Sequence, residues 1–291
     1  MKIAPLCGKT YYTGKKCKII NIWKEAGGIG STENVFAEER KNLIVDYVKL
    51  KSKATVGELC EKFSVSPATI RNDLRELADY GLLERTHGGA MIKSSVNFEL
   101  SNVEKEIVGV EQKKAIAKKA LHFVKDGISI ALDAGTTCLE LAKLLGHFRD
   151  LTVVTNDLNI AAYLDGNTNV NVILAGGQLR KGFHYTVGDM AVATLENLNV
   201  DVAFIAANGV DCEKGLSTPK FETGMIKKKM IDHSKEVVVL ADSKKINFVS
   251  FVKFGKIEDA DILITDEGAD EEFAEAVRAK GVRVELAPVA R

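Results

Sequence analysis

The residue types best suited to bind a small anion stand in the middle of the chain, in the run ALDAGTT. There Gly135, Thr136 and Thr137 follow a predicted strand and precede a predicted helix. Glycine lets the backbone approach an anion, while threonine hydroxyls and the free N–H groups of a helix start can bind it. The pattern therefore predicts an anion site. A tight turn capped by Thr137 explains the same residues equally well, because many strand–helix connections contain Gly and Thr.

Polar and glycine residues also follow three later strands. They are TN at 155–156, AGG at 175–177 and ANG at 207–209. In an open α/β sheet, the carboxyl ends of the strands border the crevice that binds ligands. The convergence of several such segments on one edge favours a ligand site more strongly than any single loop does.

A second candidate site lies in the run SPATIRNDLREL. Ser66 can cap a helix, and Pro67 suits its first position, where a missing N–H has no cost. Its inward face is apolar, with Ile70, Leu74 and Leu77. The outward face carries residue types that bind guanine edges, adenine edges and phosphates. They are Ser66, Thr69, Arg71, Asn72 and Arg75. Taken alone, an ordinary surface helix with a solvated polar face remains the alternative.

The elements around this helix predict why one of its faces stays free. A helix over 36–51 precedes it, and a shorter helix follows Thr55, with Glu58 completing a capping box. The runs LLER and AMI can pair as short strands around THGG. Three helices and a two-stranded ribbon make a winged helix-turn-helix, whose third helix can enter a DNA major groove. Arg85 and His87 lie on the ribbon, where they could contact the DNA backbone or minor groove.

The remainder of the chain alternates between short β-branched runs and helical segments. The predicted strands are ISIAL, TVVT, VNVIL, VAFIAA, EVVVL, ILIT and VRVEL. Helices are predicted near 111–124, 137–145, 221–234 and 270–280, and after Asn156. This alternation predicts βαβ units and a mostly parallel sheet.

The length of 291 residues exceeds a typical single domain and favours two. The predicted divisions are an extension at 1–34, a winged helix-turn-helix at 35–92, a charged linker at 93–110 and an effector-sensing α/β domain at 111–291. The extension is rich in Lys and Gly and has no sustained period. It is interpreted either as a loosely ordered arm or as residues upstream of a native start at Val35.

Composition argues against several classes of protein. Five cysteines, far apart and without a CxxC pair, argue against a disulfide framework or a zinc site and favour reduced thiols in the cytoplasm. The absence of any run of about 18 apolar residues predicts no membrane helix. The histidines outside the ribbon show no metal-ligand spacing, so no metal is expected. Residues 1–93 hold sixteen cations against eleven anions, a net of +5 in a chain of net charge zero, which weakly indicates different partners for its two ends.

Two motifs in the first hundred residues resemble a known family. The runs AEERKNLIVDYV and VGELCEKFSVSPATIRNDLRELADYGLLERTHGGA are similar to the DNA-binding domain of DeoR-family bacterial transcriptional regulators. The pattern Ser-x-x-Thr-Ile-Arg-x-Asp-Leu and the terminal His-Gly-Gly-Ala carry the resemblance, which extends from about Phe36 to the C-terminus. It implies a recognition helix over 66–80, a wing over 82–92 and a double-stranded DNA operator.

The rest of the chain resembles the effector domain of the same regulators, which is similar in fold to ribose-5-phosphate isomerase. The runs NGVD and MIKKKMIDHSKEVVVLADSKK carry this second likeness. Asp211 matches the second acid of the isomerases' Asp-Gly-Ala-Asp run, whereas Asn208 replaces the first acid and STPK replaces a Lys-Gly loop. A neutral amide is a poor general base. The resemblance therefore implies ligand binding without isomerase chemistry and no catalytic residue.

The strand-end pattern and the resemblance together indicate which residues bind the effector. The phosphate is assigned to Gly135, Thr136 and Thr137, with Lys227 as the cation because family members carry a cation at the matching place. The other residues assigned to the effector, chiefly to its sugar hydroxyls, are Asp133, Asn156, Asn208, Gly209 and Asp211. Asp242 in LADSKK is a weaker candidate.

The chain is thus expected to be a cytoplasmic transcriptional regulator, a repressor of sugar or polyol metabolism genes, with a phosphorylated sugar or polyol as effector and no cofactor. Two half-sites on DNA require at least a dimer, and the family suggests dimers or tetramers. One alternative is a sugar-phosphate isomerase-like enzyme with an accessory DNA-binding domain. Another makes the N-terminal domain a protein-docking module without DNA contact.

Overall fold

The computed structural model describes residues 37–51, 53–79, 82–91, 99, 105, 106 and 108–289. The chain divides after residue 91 into two compact units, except that residues at the end of the first helix group with the second unit. The predicted extension and most of the predicted linker lie outside the described residues.

The first unit contains three helices and three short strands. They are α1 (Ala37–Lys51), β1 (Lys53–Thr55), α2 (Val56–Phe63), α3 (Pro67–Asp79), β2 (Glu84–Thr86) and β3 (Gly89–Met91). The predicted capping box is present, because Glu58 N donates to Thr55 Oγ1 at 3.2 Å and Thr55 N donates to Glu58 Oε2 at 2.7 Å. The predicted winged helix-turn-helix is confirmed.

Strand β1 was not predicted, since its three residues are too few to show an alternating pattern. It pairs antiparallel with β3, and the strand order is β1-β3-β2. This pairing explains one glycine of the His-Gly-Gly-Ala motif. A Cβ at Gly89 would lie 2.0 Å from the carbonyl oxygen of Ala54, so only glycine permits the two strands to approach this closely.

Helix α3 is fixed by apolar packing and by one ion pair. Its inward residues Ile70, Leu74 and Leu77 are buried as predicted. Asp73 is buried on the same side and accepts two hydrogen bonds from Arg40 of α1, at 2.7 and 3.1 Å. A bidentate pair of this kind fixes orientation as well as position. Helix α3 is therefore held from one side, which leaves its polar face exposed.

The second unit is built on one seven-stranded parallel sheet with helices on both faces. Its strands are β4 (Ser129–Leu132), β5 (Thr152–Thr155), β6 (Asn171–Leu174), β9 (Val200–Ala206), β12 (Ser234–Leu240), β14 (Ile262–Asp266) and β15 (Arg283–Ala287). Its helices are α4 (Val110–Ala120), α5 (Thr136–Ala142), α6 (Leu158–Asn167), α7 (Asp189–Glu196), α8 (Phe221–Asp232) and α9 (Glu271–Ala279). These strands are the seven that the sequence predicts.

The strand order is β15-β14-β12-β9-β4-β5-β6. From β4 the chain moves outward through β5 and β6, and from β9 it moves outward in the opposite direction. The topological switch therefore lies between β4 and β9, where an open α/β sheet forms its ligand crevice. Apolar residues of both sheet faces are buried in two clusters, one under each layer of helices.

Two small antiparallel elements, which the sequence did not predict, complete the unit. They are a hairpin of β7 (Gln178–Arg180) and β8 (Tyr185–Val187), and a sheet of β10 (Gly209–Asp211), β11 (Gly215–Thr218) and β13 (Val252–Gly255). Among the described helices, none combines the length and the apolar character needed to cross a bilayer.

Candidate functional site

The outward face of α3 presents two unengaged guanidinium groups. Arg71 and Arg75 are exposed, and within the described part of the chain neither has a hydrogen-bond or ion-pair partner. Arginine binds the guanine edge or a phosphate with two parallel hydrogen bonds. The face is therefore chemically suited to DNA.

The other predicted residues of this face make local contacts. Ser66 Oγ accepts from Thr69 N at 3.2 Å and lies 2.9 Å from Thr69 Oγ1, so both hydroxyls serve the helix start. Asn72 Nδ2 donates to Glu76 Oε1 at 2.8 Å. This bond uses one of the two Nδ2 donors, so the second donor and Oδ1 remain for an adenine edge.

The wing residues Arg85 and His87 are exposed and line a cleft together with Arg71, between α3 and the β2–β3 ribbon. The described residues that line this cleft include no carboxylate. Clustered cations without an anion attract a phosphate backbone. Arg75 does not line the cleft, which separates its position from that of Arg71.

The second unit has a pocket at the topological switch. Its lining comes from the carboxyl ends of β4, β9 and β12 and the segments that follow them, from α8, α4 and β8, and from residues 99, 105 and 108. Its lining includes Glu99, Lys105, Lys113, Gly135, Thr136, Thr137, Tyr185, Asn208, Thr223, Lys227, Asp242 and Lys245. The predicted effector residues Gly135, Thr136, Thr137, Asn208 and Lys227 thus meet in one place, and so does the weaker candidate Asp242.

Four predicted effector residues lie outside this lining. Asn156 is buried, and its Nδ2 donates to the carbonyl of Thr186 at 2.8 Å. Asp211 accepts from the backbone N–H groups of residues 213 and 214 at 2.9 and 2.7 Å, which makes it a turn residue. Gly209 lies against a neighbouring backbone, since a Cβ there would lie 2.3 Å from the carbonyl oxygen of Phe248. The fourth residue, Asp133, lies behind the pocket.

Asp133 forms an ion pair with Lys227, which lines the pocket. Their side chains are 1% and 3% exposed. Asp133 Oδ2 also accepts from Ala206 N at 2.9 Å, and Lys227 Nζ also donates to the Ala206 carbonyl at 2.9 Å. The pair thereby joins α8 to the ends of β4 and β9. Two of the three donors of Lys227 are used inside the protein, which leaves one for a ligand.

A second buried carboxylate, Asp157, caps α6. Its Oδ1 accepts from the backbone N–H groups of Asn159 and Ile160 at 2.8 and 3.1 Å. Burial raises the pKa of Asp157 to about 6.

Three lysines of the pocket were missed at the sequence level, namely Lys105, Lys113 and Lys245. Lys113 Nζ donates to the carbonyl of Val108 at 2.6 Å and to that of Lys105. Burial lowers the pKa of Lys113 to about 8, Asp242 opposes this shift, and the cations Lys245 and Lys105 add to it. One signal could have found it: Lys113 shares the buried face of α4 with residues 116, 117 and 120, at helical spacing.

A chain of polar contacts closes the other side of the pocket. Glu99 Oε1 accepts from Lys105 Nζ at 2.6 Å, and Glu99 Oε2 accepts from Arg180 Nη1 at 2.7 Å. Arg180 also donates to the hydroxyl of Tyr185, which lies 3.1 Å from Thr223 Oγ1. Burial raises the pKa of Tyr185 to about 12. Its neutral hydroxyl therefore remains a hydrogen-bonding group at any physiological pH.

The pocket's ionisable lining consists of four lysines against the carboxylates Glu99 and Asp242, besides the neutral Tyr185. Within the described residues, no group of three or more His, Cys, Asp or Glu is placed to hold a metal ion. The arrangement can bind an anion through charge and hydrogen bonds.

Comparison with known protein families divides the chain in the same way. The family model described as a DeoR-like helix-turn-helix domain matches residues 40–96. The model described as the DeoR C terminal sensor domain matches residues 109–267, more than half of the chain.

Similar full-length proteins carry regulator names. The HTH-type transcriptional regulator GlpR of Haloferax volcanii is 38% identical over 84% of this chain and 96% of its own length. GolR of Listeria innocua, another HTH-type transcriptional regulator, is 35% identical over 87% of this chain and 100% of its own. The HTH-type transcriptional repressor GlcR of Bacillus subtilis is 32% identical over 86% of this chain and 96% of its own.

One solved structure of D-ribose-5-phosphate isomerase, in complex with phospho-erythronic acid, is 22% identical, with a TM-score of 0.36 over 47% of this chain and 54% of that chain. The fold of the second unit is therefore assigned from its own strand order and from the family models.

Proposed function

Because the chain belongs to the DeoR family of HTH-type transcriptional regulators, we propose that it represses genes of sugar or polyol metabolism. A phosphorylated sugar or polyol, bound in the pocket of the second unit, modulates its binding to DNA. The observation that carries this proposal is the excess of lysine over carboxylate in a pocket at the switch between β4 and β9.

The charge of the pocket suits a phosphomonoester. With four lysines and two carboxylates, the pocket lining has a net charge of about +2 at neutral pH. A phosphomonoester carries a charge of about −1.5 to −2. A neutral sugar would leave this excess unpaired, so a phosphorylated ligand fits better. Lys113 and Lys245 supply cations beyond the predicted Lys227, whose ammonium is already shared with Asp133.

Neutral groups of the pocket suit the hydroxyls of a sugar or polyol. Asn208 Oδ1 accepts from Thr218 Oγ1 at 3.1 Å, which leaves the Nδ2 donor of Asn208 for a ligand. Thr223 and Tyr185 contribute hydroxyls. A carboxamide in this place binds without abstracting a proton. The enzyme alternative is not favoured, because the similar proteins reported above are named transcriptional regulators.

For DNA, the exposed face of α3 is the proposed recognition surface. We assign Arg71, Arg85 and His87 to phosphate contacts, because they line one cleft, and Arg75 and Asn72 to base edges. Ser66 and Thr69 hold the helix start. A homodimer or tetramer would present two such helices to two half-sites.

Two experiments test the proposal. Selection from a random-sequence DNA pool should enrich one motif with two half-sites, and failure to enrich any sequence would refute sequence-specific DNA binding. A thermal-shift screen should then compare phosphorylated sugars and polyols with their unphosphorylated forms. A ligand that binds only the native state raises apparent stability, so only phosphorylated compounds should raise the melting temperature. Equal shifts for both forms would refute the phosphate requirement, and turnover of a compound that binds would favour the enzyme.

A further inference from the structure

The carboxylate of Glu99 lies inside the effector pocket. Its side chain is 6% exposed, and it lines the same cavity as Thr136, Thr137 and Lys227. Each of its oxygens accepts from a different cation, Oε1 from Lys105 and Oε2 from Arg180. No other acid of the pocket lining makes two ion pairs within the described residues.

Glu99 is ionised in this position. Burial alone would raise its pKa, but the charges and hydrogen bonds of Lys105 and Arg180 outweigh burial and hold the pKa below its usual value. A carboxylate that accepts one charge-assisted hydrogen bond on each oxygen uses the same two cationic donors that two oxygens of a phosphate would use. Lys105 and Arg180 therefore already bind an anion, and this anion belongs to the protein.

We propose that Glu99 is an internal occupant of the anion subsite, and that a phosphorylated effector exchanges with its carboxylate for Lys105 and Arg180. This inference rests on the proposed function and adds how the ligand enters the site. With Glu99 in place, the effector must compete with a carboxylate that is held at high effective concentration by its own chain.

The position of Glu99 in the sequence gives the exchange a consequence. Residue 99 belongs to the stretch 93–110, which joins the DNA-binding domain to the sensor domain along the chain. An effector that releases Glu99 acts on this stretch by the same contacts with which it binds. The effector contacts Lys105 and Arg180 only when Glu99 is released. It therefore binds the released state more tightly than the state in which Glu99 holds both cations.

The substitution E99Q tests the exchange, with E106Q as the matched control. Glutamine keeps the size of the side chain and removes its charge, whereas Glu106 is an exposed carboxylate of the same stretch and does not line the pocket. With inorganic phosphate as the probe in isothermal titration calorimetry, E99Q should bind about tenfold more tightly than the unsubstituted chain, because a like charge has left the site. E106Q should bind as the unsubstituted chain does.

A second measurement needs no substitution. When phosphate saturates the unsubstituted protein, amide hydrogen exchange in the peptide that contains Glu99 should become faster, since the residue loses its two cations. Unchanged or slower exchange, or equal or weaker phosphate binding by a folded E99Q, would overturn the exchange alone. If neither inorganic phosphate nor any phosphorylated sugar or polyol binds, the proposed effector class is wrong and the exchange with it.

Discussion

The ammonium of Lys227, a residue that lines the pocket of the second unit, forms an ion pair with the carboxylate of Asp133, and both side chains are almost fully buried. Lys227 comes from α8 and Asp133 from the end of β4, so the pair connects the helix layer to the switch point of the sheet. The sequence assigns both residues to the ligand. The contacts in the structure give them a structural role first, because each satisfies the charge of the other.

Removal of one charge from this pair should destabilise the second unit. D133N leaves the ammonium of Lys227 buried without a counter-ion, which costs about 3–5 kcal/mol of unfolding free energy. Urea denaturation followed by circular dichroism measures the loss. The control D165N removes an exposed carboxylate and should change the free energy by less than about 0.5 kcal/mol. A small effect of D133N would show that the pair is not buried in solution. D133L/K227M, with both charges removed, should lose less stability than D133N.

The sheet could be predicted because each of its strands is a run of β-branched residues between turn signals. Strand β1 and the β7–β8 hairpin escaped prediction, since each of their strands has only three residues, too few to show an alternating pattern. Part of the pocket followed from the rule that ligands bind at strand ends, which places Thr136, Asn208 and their neighbours. Glu99 and Arg180 could not be found in this way. They are 81 residues apart and meet only through the tertiary path of the chain.

Asp157 should make stability depend on pH in a direction unusual for a carboxylate. Burial raises its pKa from 3.8 to about 6 in the folded state, so the folded protein binds this proton more tightly than the unfolded chain does. Its contribution favours folding below pH 4 and is lost as the pH rises through about 6. The loss amounts to about 3 kcal/mol.

D157N isolates this contribution, because asparagine still caps a helix but does not titrate. Between pH 4 and pH 7, the unfolding free energy of the unsubstituted chain should fall relative to that of D157N. Parallel curves for the two proteins in urea titrations at a series of pH values would mean that Asp157 does not titrate in this range.

The exposed arginines should divide into two classes when DNA binding is measured by fluorescence anisotropy on the selected motif. R71A and R85A remove proposed phosphate contacts. Each should therefore reduce, by about one, the magnitude of the negative slope of log affinity against log salt concentration. R75A removes a proposed base contact. It should cost about 1–3 kcal/mol of binding free energy on the selected motif and relax the sequence preference at one position.

K214A, at an exposed lysine of the second unit, is the control. If R71A, R75A and R85A all bind as K214A and the unsubstituted chain do, neither the α3 face nor the wing contacts DNA.

Lys113 should couple effector binding to proton uptake. Burial, and the nearby cations Lys245 and Lys105, lower its pKa to about 8, so part of the unliganded protein has a neutral Lys113 at slightly alkaline pH. A bound phosphate favours the charged form and raises this pKa, and the affinity should therefore fall as the pH rises through 8. Calorimetry with inorganic phosphate at pH 8, in two buffers of different ionisation enthalpy, should detect the uptake of a fraction of a proton.

The substitution K113R keeps the charge without titrating, so this variant should bind phosphate with no proton uptake from residue 113. The control K118R, at a helix lysine that does not line the pocket, should behave as the unsubstituted chain does. Equal proton uptake by K113R and the unsubstituted chain would assign the proton to another group.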